Sequence, residues 1–296
     1  MGSLDGRVAI VTGAGRGIGA GVARLLAREG AGVVVADLGV KLDGAEPGTG
    51  PAESVVEEIV KAKGAAVANT DDVSDYAAAE AMIRQAIDVF GKLDIVVNVA
   101  GILRDRMIFN MTESEWDDVI RVHLKGTFNT SKHASVYWRQ LRDESAHHRL
   151  INFTSVSGLF GAPGQPNYAA AKMGIVGLTY SCANALRAYG VTANAISPGA
   201  ATRMTDSIPG RERPPAEVDD AQHPDNVAPA VAYLATEASD WCTGQILFAR
   251  GYDIGLYNTP QLIRQISSTG PWDLGTAFNE IERVFKPVVS AERAAR

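Results

Sequence analysis

Cysteine is almost absent from the 296 residues: only Cys182 and Cys242 occur. Two such residues exclude a disulfide framework, and their wide separation lacks metal-ligand spacing. Both read as packing residues, and no metal site is expected. Long apolar runs are missing too, because nowhere do about eighteen apolar residues follow one another, so no membrane span is expected. The opening MGSLDGR has neither the basic flank nor the apolar stretch of a signal peptide, which predicts a cytoplasmic protein. Positive charge is short: the net charge is −6 and the pI ≈ 5.4, leaving no basic surface for nucleic acid. Nor does a linker-like stretch divide the chain, so residues 1–296 read as a single domain. What the chain does have is 46% hydrophobic residues, enough for the core of one large α/β domain. Small molecules and further copies of the chain are the partners left open.

Val8-Ala9-Ile10-Val11 is a short apolar run that ends at Thr12-Gly13-Ala14-Gly15-Arg16-Gly17-Ile18-Gly19, followed by the helix-like AGVARLLAREG. A strand, a glycine turn and a helix start, in that order, suit the pyrophosphate of a dinucleotide. Backbone must approach closely there, and helix N–H groups must point at the anion. Gly13, Gly17 and Gly19 keep the turn free of side chains. A second strand, Val33 to Ala36, ends in Asp37, where a carboxylate can accept hydrogen bonds from ribose hydroxyls and would repel a 2′-phosphate. The expected cofactor is therefore NAD. Arg16 argues in the other direction, since a basic residue in the glycine turn could meet that phosphate.

Residues 39–51 form a Gly/Pro-rich surface loop before the helix of AESVVEEIVKAKG. A third strand (AAVANT), Asp71-Asp72-Val73, a helix (YAAAEAMIRQAIDVFG) and a fourth strand, Leu93 to Val97, come next. Asn98-Val99-Ala100-Gly101 closes that strand. Strands and helices alternating at these lengths predict a doubly wound parallel sheet with helices on both faces. Ligands gather at the carboxyl ends of such strands, and Asp37, Asp72, Asn98, Gly101 and Ser155 are all expected there.

The stretch Ser155 to Lys172 is the candidate reacting centre. Tyr168 and Lys172 stand four apart, on one face if the segment is helical. A phenol has an ordinary pKa of about 10, and a neighbouring ammonium is expected to lower it toward use as a base. Ser155, before a Gly- and Pro-rich connection, could hydrogen-bond the oxygen of a reacting alcohol or carbonyl. A buried tyrosine and a surface lysine at helical spacing would be the inert alternative.

Taken in order, T-G-x-x-x-G-x-G at Thr12 to Gly19, Asp72-Val73, N-x-A-G at Asn98 to Gly101, Ser155, Y-x-x-x-K at Tyr168 to Lys172 and P-G-x-x-T at Pro198 to Thr202 resemble the short-chain dehydrogenase/reductase family. The resemblance runs from about Leu4 to Gly255. It implies a Rossmann fold with seven parallel strands, the last near Gln245 to Ala249. It implies roles as well: Tyr168 as general acid/base, Lys172 holding the nicotinamide ribose, and Ser155 positioning the substrate oxygen. Cofactor contacts are implied for Gly13, Arg16, Gly17, Ile18, Gly19, Asp37, Asp72, Val73, Asn98, Ala100, Gly101, Pro198, Gly199 and Thr202. Ala36 to Gly39, Val56 to Ile59, Ala100 to Arg106, Arg121 to Leu124 and Arg203 to Thr205 are similar to one subgroup. It contains the (3R)-hydroxyacyl-CoA dehydrogenase domain of peroxisomal multifunctional enzyme type 2 and its bacterial relatives. That subgroup implies an acyl-CoA substrate, with free 17β-hydroxysteroids as the alternative, and a homodimer or homotetramer built on the helix from about Tyr168 to Leu186. A silent NAD-binding subunit would be expected to lose the reactive tyrosine or lysine, and this chain keeps both.

The chain departs from the family pattern at three places. His123 stands where many members have asparagine, and could continue a proton relay from Lys172 or simply pack with one backbone bond. Val99 replaces a second asparagine. Some forty residues follow Gly255 as an extension, 256–296, with helix-like pieces at Gln261 to Ser267 and Trp272 to Phe285. Residues 203–222, polar and proline-rich, are expected to form a lid over the substrate cleft, where Arg211 and Arg213 could meet CoA phosphates.

Overall fold

The computed structural model describes residues 2–39, 50–200 and 220–294. Two compact units divide the chain, Met1–Tyr257 and Asn258–Arg296. In the first, β1 (Val8–Thr12), α1 (Gly17–Arg28), β2 (Gly32–Ala36), α2 (Gly50–Lys61), β3 (Ala65–Asn69), α3 (Tyr76–Phe90) and β4 (Ile95–Asn98) alternate as expected. After β4 come α4 (Glu113–Val119), a π-helical turn (Ile120–Lys125), α5 (Gly126–Leu141) and β5 (His148–Phe153). The short α6 (Val156–Phe160), α7 (Pro166–Ala185), β6 (Val191–Gly199), α8 (Ala228–Ala235), β7 (Ile246–Arg250) and β8 (Asp253–Leu256) complete the unit.

The strands lie in the order β3-β2-β1-β4-β5-β6-β7-β8. The chain winds outward in both directions from β1 and β4, so the two halves diverge between those strands and open a crevice at their carboxyl ends. β1 and β4 are buried at every position, because helices cover both faces of a parallel sheet and each strand reads as an unbroken apolar run. On one face Leu26 of α1, Val55 and Ile59 of α2 and Val231 and Leu234 of α8 pack on Val11, Val33 and Val97. On the other, Met82 and Ile83 of α3 and Trp138 of α5 pack on Ile10, Val34 and Val96.

Local signals fix the helix ends. Asp75 caps α3 by accepting from Ala78 N at 2.7 Å, and Gly91 stops it at φ 84°. Thr112 and Glu115 form a reciprocal capping box on α4.

Among the described residues the sheet has eight strands rather than the seven expected. Gly251, at φ 59°, allows a two-residue turn between Arg250 and Asp253, so β8 folds back antiparallel on β7. In the second unit the helix-like reading of Gln261 to Ser267 fails, for that stretch has no regular element, whereas α9 (Leu274–Ala294) runs longer than expected and continues through Pro287. The proposed lid falls outside the described residues over 203–219, as does Thr202. No helix among the described residues is long and apolar enough to cross a membrane.

Candidate active site

A cavity of ≈ 720 Å³ opens at the crevice between the two halves of the sheet. One end is built by the β1–α1 turn. Gly13 adopts φ 63°, and a Cβ there would lie 2.8 Å from the backbone of Ala100, so only glycine lets the two loops meet. Thr12 holds them together: its Oγ1 accepts from Val99 N at 3.0 Å and Ala100 N at 3.2 Å. No side chain caps α1 and no acidic residue occupies its first turn. Gly17, Ile18 and Gly19 line the cavity, and the first N–H groups of a helix lack intrahelical partners, which makes an anion the natural occupant. Arg16, also in the lining, adds positive charge there.

Asp37 follows directly on β2, and its carboxylate is fixed by two backbone donors, Gly15 N and Gly39 N, each at 2.8 Å. Asp72 accepts from Ser74 N at 2.8 Å and pairs with Arg121 at 3.3 Å, which in turn reaches Asp118 at 3.6 Å. Arg104 pairs with Asp118 at 3.3 Å. Asp72, Asp118, Arg121 and Arg104 all line the cavity, so a ladder of alternating charge runs along one wall. Sequence reasoning missed its three later members, because they come from separate segments and only the fold brings them together.

At the far end stand Tyr168 and Lys172 on α7, one helical turn apart as the spacing requires. Lys172 is 4% exposed; its Nζ donates to Phe153 O at 2.8 Å and lies 5.6 Å from the centre of the Tyr168 ring. Burial loosens its proton, bringing its pKa down to about 7. The same burial pushes Tyr168 up to about 12, partly offset by a hydrogen bond from Ser155 and reinforced by the negative charge of Asp105. Desolvation of the phenolate is thus the largest influence on the Tyr168 proton in the folded chain. Ser155 caps α6, with its Oγ accepting from Ser157 N at 3.2 Å. The tip of the reacting trio is thus assembled by the end of β5, the cap of α6 and the first turns of α7.

Three further residues support this arrangement. Asn167, fully buried, donates to Arg104 O at 3.0 Å and Glu115 O at 2.9 Å and accepts from Tyr168 N at 2.7 Å, locking the start of α7 to the loop after β4 and to α4. The only sequence signal was an asparagine directly before the tyrosine. Asn98, expected at the cofactor, instead commits its side chain to Asn152 Oδ1 at 2.9 Å and to the Thr130 hydroxyl at 2.7 Å, beneath the cavity wall. His123, 1% exposed, sits on the π-helical turn. Its Nε2 lies 2.8 Å from Ile102 O and 3.1 Å from Ile102 N, and its ring meets Tyr168 edge to face at 5.1 Å. A Cβ on Gly101 would fall 2.1 Å from this ring, so the glycine of N-x-A-G makes room for the histidine. Burial, with the Lys172 charge, drives the imidazole pKa down to about 3, leaving it neutral with Nε2 bound to the Ile102 backbone.

Ala100, Gly101, Val73 and Pro198 line the cavity as expected, and Gly199 ends β6 beside it. Among the described residues no cluster could hold a metal ion.

Known proteins align with this arrangement. The family model described as short chain dehydrogenase matches residues 7–212. The chain is 43% identical over 281 residues to hydroxyacyl-CoA dehydrogenase ChsB1 of Mycobacterium tuberculosis, covering 91% of this chain and 86% of that protein. It is 40% identical over 237 residues to peroxisomal multifunctional enzyme type 2 of Mus musculus, covering 80% of this chain and 31% of that longer protein. The crystal structure of a short chain dehydrogenase from Mycobacterium avium superposes with a TM-score of 0.87 at 45% identity, covering 96% of each chain. The chain belongs to the short-chain dehydrogenase family and is an oxidoreductase.

Proposed function

We propose that the protein oxidises a (3R)-3-hydroxyacyl-CoA to the ketone with NAD. The observation that carries this reading is a cavity with an uncapped helix start and a backbone-fixed Asp37 at one end and Tyr168 and Lys172 at the other, with Ser155 following directly on the lining residue Thr154. Gly17 to Gly19 would hold the pyrophosphate, Asp37 the adenosine ribose, and Lys172 the nicotinamide ribose. A 2′-phosphate would meet the Asp37 carboxylate, which favours NAD over NADP. When bound, NAD⁺ supplies the hydride acceptor and a positive charge beside Tyr168. Ser155 holds the alcohol oxygen, Tyr168 takes the hydroxyl proton, and Lys172, with a proton loosened by burial, supports the phenolate as it forms.

The acyl-CoA half of the proposal draws on ChsB1, whose name states that activity. An apolar rim supports an acyl or sterol chain. Met107 and Phe109 are exposed, and Arg106 N donates to Gly164 O at 2.7 Å, tying their segment to the turn after exposed Phe160. The same rim favours a second reading, a free 17β-hydroxysteroid. For assembly, a homodimer or homotetramer through α7 is supported by the open surface around Gly177 and exposed Met173.

The test is NADH formation from (3R)-3-hydroxyacyl-CoA thioesters of medium chain and steroid side-chain type, beside their (3S) epimers and free 17β-hydroxysteroids. Turnover confined to the (3R) thioesters is expected, and turnover of free steroids alone would replace the substrate. Positioned proton transfer contributes roughly 10² to 10⁴-fold, so Tyr168→Phe should lose about that much kcat while binding NAD normally. An active Tyr168→Phe variant would remove the mechanism.

A further inference from the structure

Ser155 must present its proton to an oxygen in the cavity, yet a hydroxyl at a helix cap can rotate freely. The structure contains a device that restrains it. Ser157 N–H donates to Ser155 Oγ at 3.2 Å, which occupies the serine as an acceptor and leaves its own proton to be given away. Ser157 is held in turn, because its Oγ donates to Gln165 Oε1 at 2.8 Å. Gln165 Nε2 donates to Asp105 Oδ2 at 2.8 Å. Asp105 belongs to the loop after β4, Ser157 to α6, and Gln165 stands at the start of α7, so the chain of bonds crosses three segments that have no sequence adjacency.

Two features show that this is not incidental surface polarity. Gln165 occupies the cap position of α7 but makes no capping hydrogen bond, although serine, threonine or aspartate would stabilise that helix start better. Its side chain serves the cross-link instead. A primary amide can also be turned either way round, and a carboxylate, which only accepts, settles the question: Nε2 must face Asp105 and Oε1 must face Ser157.

We propose that Asp105 and Gln165 are positioning residues for Ser155, fixing the turn of α6 so that the serine hydroxyl donates toward the Tyr168 oxygen and the substrate oxygen. The inference rests on the proposed roles of Ser155 and Tyr168. The link is mechanical at Ser157, where the side chain is held by Gln165 and the backbone N–H addresses Ser155. Asp105 has a second, electrostatic consequence. The groups that touch or act on Tyr168 among the described residues include Lys172 from its own helix, Asn167 before it, His123 from the π-helical turn, Ser155 from α6 and the charge of Asp105 from the loop after β4. Of these, Asp105 is the only anion.

The experiment compares full-length Gln165→Met, Asp105→Asn and Tyr168→Phe with the wild type on whichever alcohol the wild type oxidises. Gln165→Met breaks the chain without touching a charge. Losing one polar contact that matters in the transition state is worth about tenfold, so its kcat should fall about tenfold with the KM for NAD within twofold and the pH profile unmoved. Asp105→Asn releases the amide orientation and also removes the anion, so kcat should fall and the limb of its pH profile that reports Tyr168 should move to lower pH. A thermal midpoint near that of the wild type in either variant shows the fold intact, and the two substitutions test the chain independently. Wild-type kcat in Gln165→Met or in Asp105→Asn would overturn the proposal. Activity surviving in Tyr168→Phe would instead strike at the assigned chemistry; a dead Tyr168→Phe beside a normal Gln165→Met strikes only at the positioning couple.

Discussion

A buried cation stands at each end of strand β5, Arg149 of the strand itself and Lys172 of α7, and the two are treated in opposite ways. Near the amino end, Arg149 is 1% exposed and its guanidinium donates to Thr236 O, His148 O, Glu237 O and the Asp240 carboxylate. At the carboxyl end, Lys172 is buried almost as deeply, but its described hydrogen bond is one, to Phe153 O. Burying a charge is costly unless it is paired and hydrogen-bonded. The arginine is saturated, whereas the lysine bears that cost in a loosened proton. An under-bonded buried cation beside a cavity keeps donors for a ligand, and a saturated one keeps nothing in reserve. The amino edge of the sheet is therefore built for stability and the carboxyl edge for chemistry.

The largest effect should come from breaking the functional half. Lys172→Met removes the ammonium while preserving most of the buried volume. With the support for the Tyr168 phenolate gone, kcat should fall about 10³-fold, within the range of positioned acid/base catalysis. Stability should hold or rise, because an apolar side chain replaces a poorly compensated buried charge. Steady-state rates and a thermal melt on the same preparation check both. A variant that loses activity by losing its fold would show that Lys172 was structural after all.

Arg149→Met should give the reverse. Three carbonyl oxygens lose their donor, while the half-exposed Asp240 carboxylate can return to water, so the loss should be about 1–3 kcal/mol, the cost of buried acceptors left unsatisfied. The midpoint of denaturant unfolding should drop accordingly, while kcat per folded molecule stays near wild type. If Arg149→Met instead lowered kcat at unchanged stability, the two ends of β5 would not be separable in the way their bonding suggests.

The difference between these ends also explains what could be read from the sequence. Strand-by-strand alternation, the glycine turn, Asp37, Tyr168 and Lys172 were legible because each depends on local spacing: period, turn chemistry, or one helical turn. The Rossmann order followed from that alternation. Arg149 gave no signal, since its acceptors lie far along the chain at Thr236 to Asp240. For the same reason the strand-end position of Asn98 was readable, but its side-chain partners Thr130 and Asn152 were not. The Asp105, Gln165 and Ser157 bonds, the Arg104 and Arg121 ladder and the π-helical turn under His123 are likewise products of tertiary closure. β8 was locally encoded by Arg250-Gly251-Tyr252-Asp253 and was missed because the family's seven strands ended the reading at Ala249.

His148, the first residue of β5, sharpens the comparison with a smaller effect. It is 5% exposed, stacks on Trp138 with ring centres 5.1 Å apart, and neither ring nitrogen has a partner among the described residues. Burial, aided by the Arg7 and Arg149 charges and opposed by Asp94, lowers its pKa to about 4. In the unfolded chain a histidine titrates at about 6.5. The native state therefore binds fewer protons than the unfolded state below that pH, and stability, complete above about pH 6.5, is lost as the pH falls toward 4. One pKa unit corresponds to about 1.4 kcal/mol, so His148 accounts for a loss of up to roughly 3 kcal/mol on full acidification, and His123 adds a loss of the same sign that extends lower. Replacing His148 with Phe, which keeps the stack on Trp138 and cannot take a proton, should flatten the upper part of that acid limb in urea unfolding measured from pH 7 to pH 4. It should leave the rate at neutral pH unchanged, because His148 sits at the saturated end of the strand. An acid limb identical to wild type would mean that the amino edge does not hold its histidine neutral against solvent, and the contrast along β5 would then rest on the two cations alone.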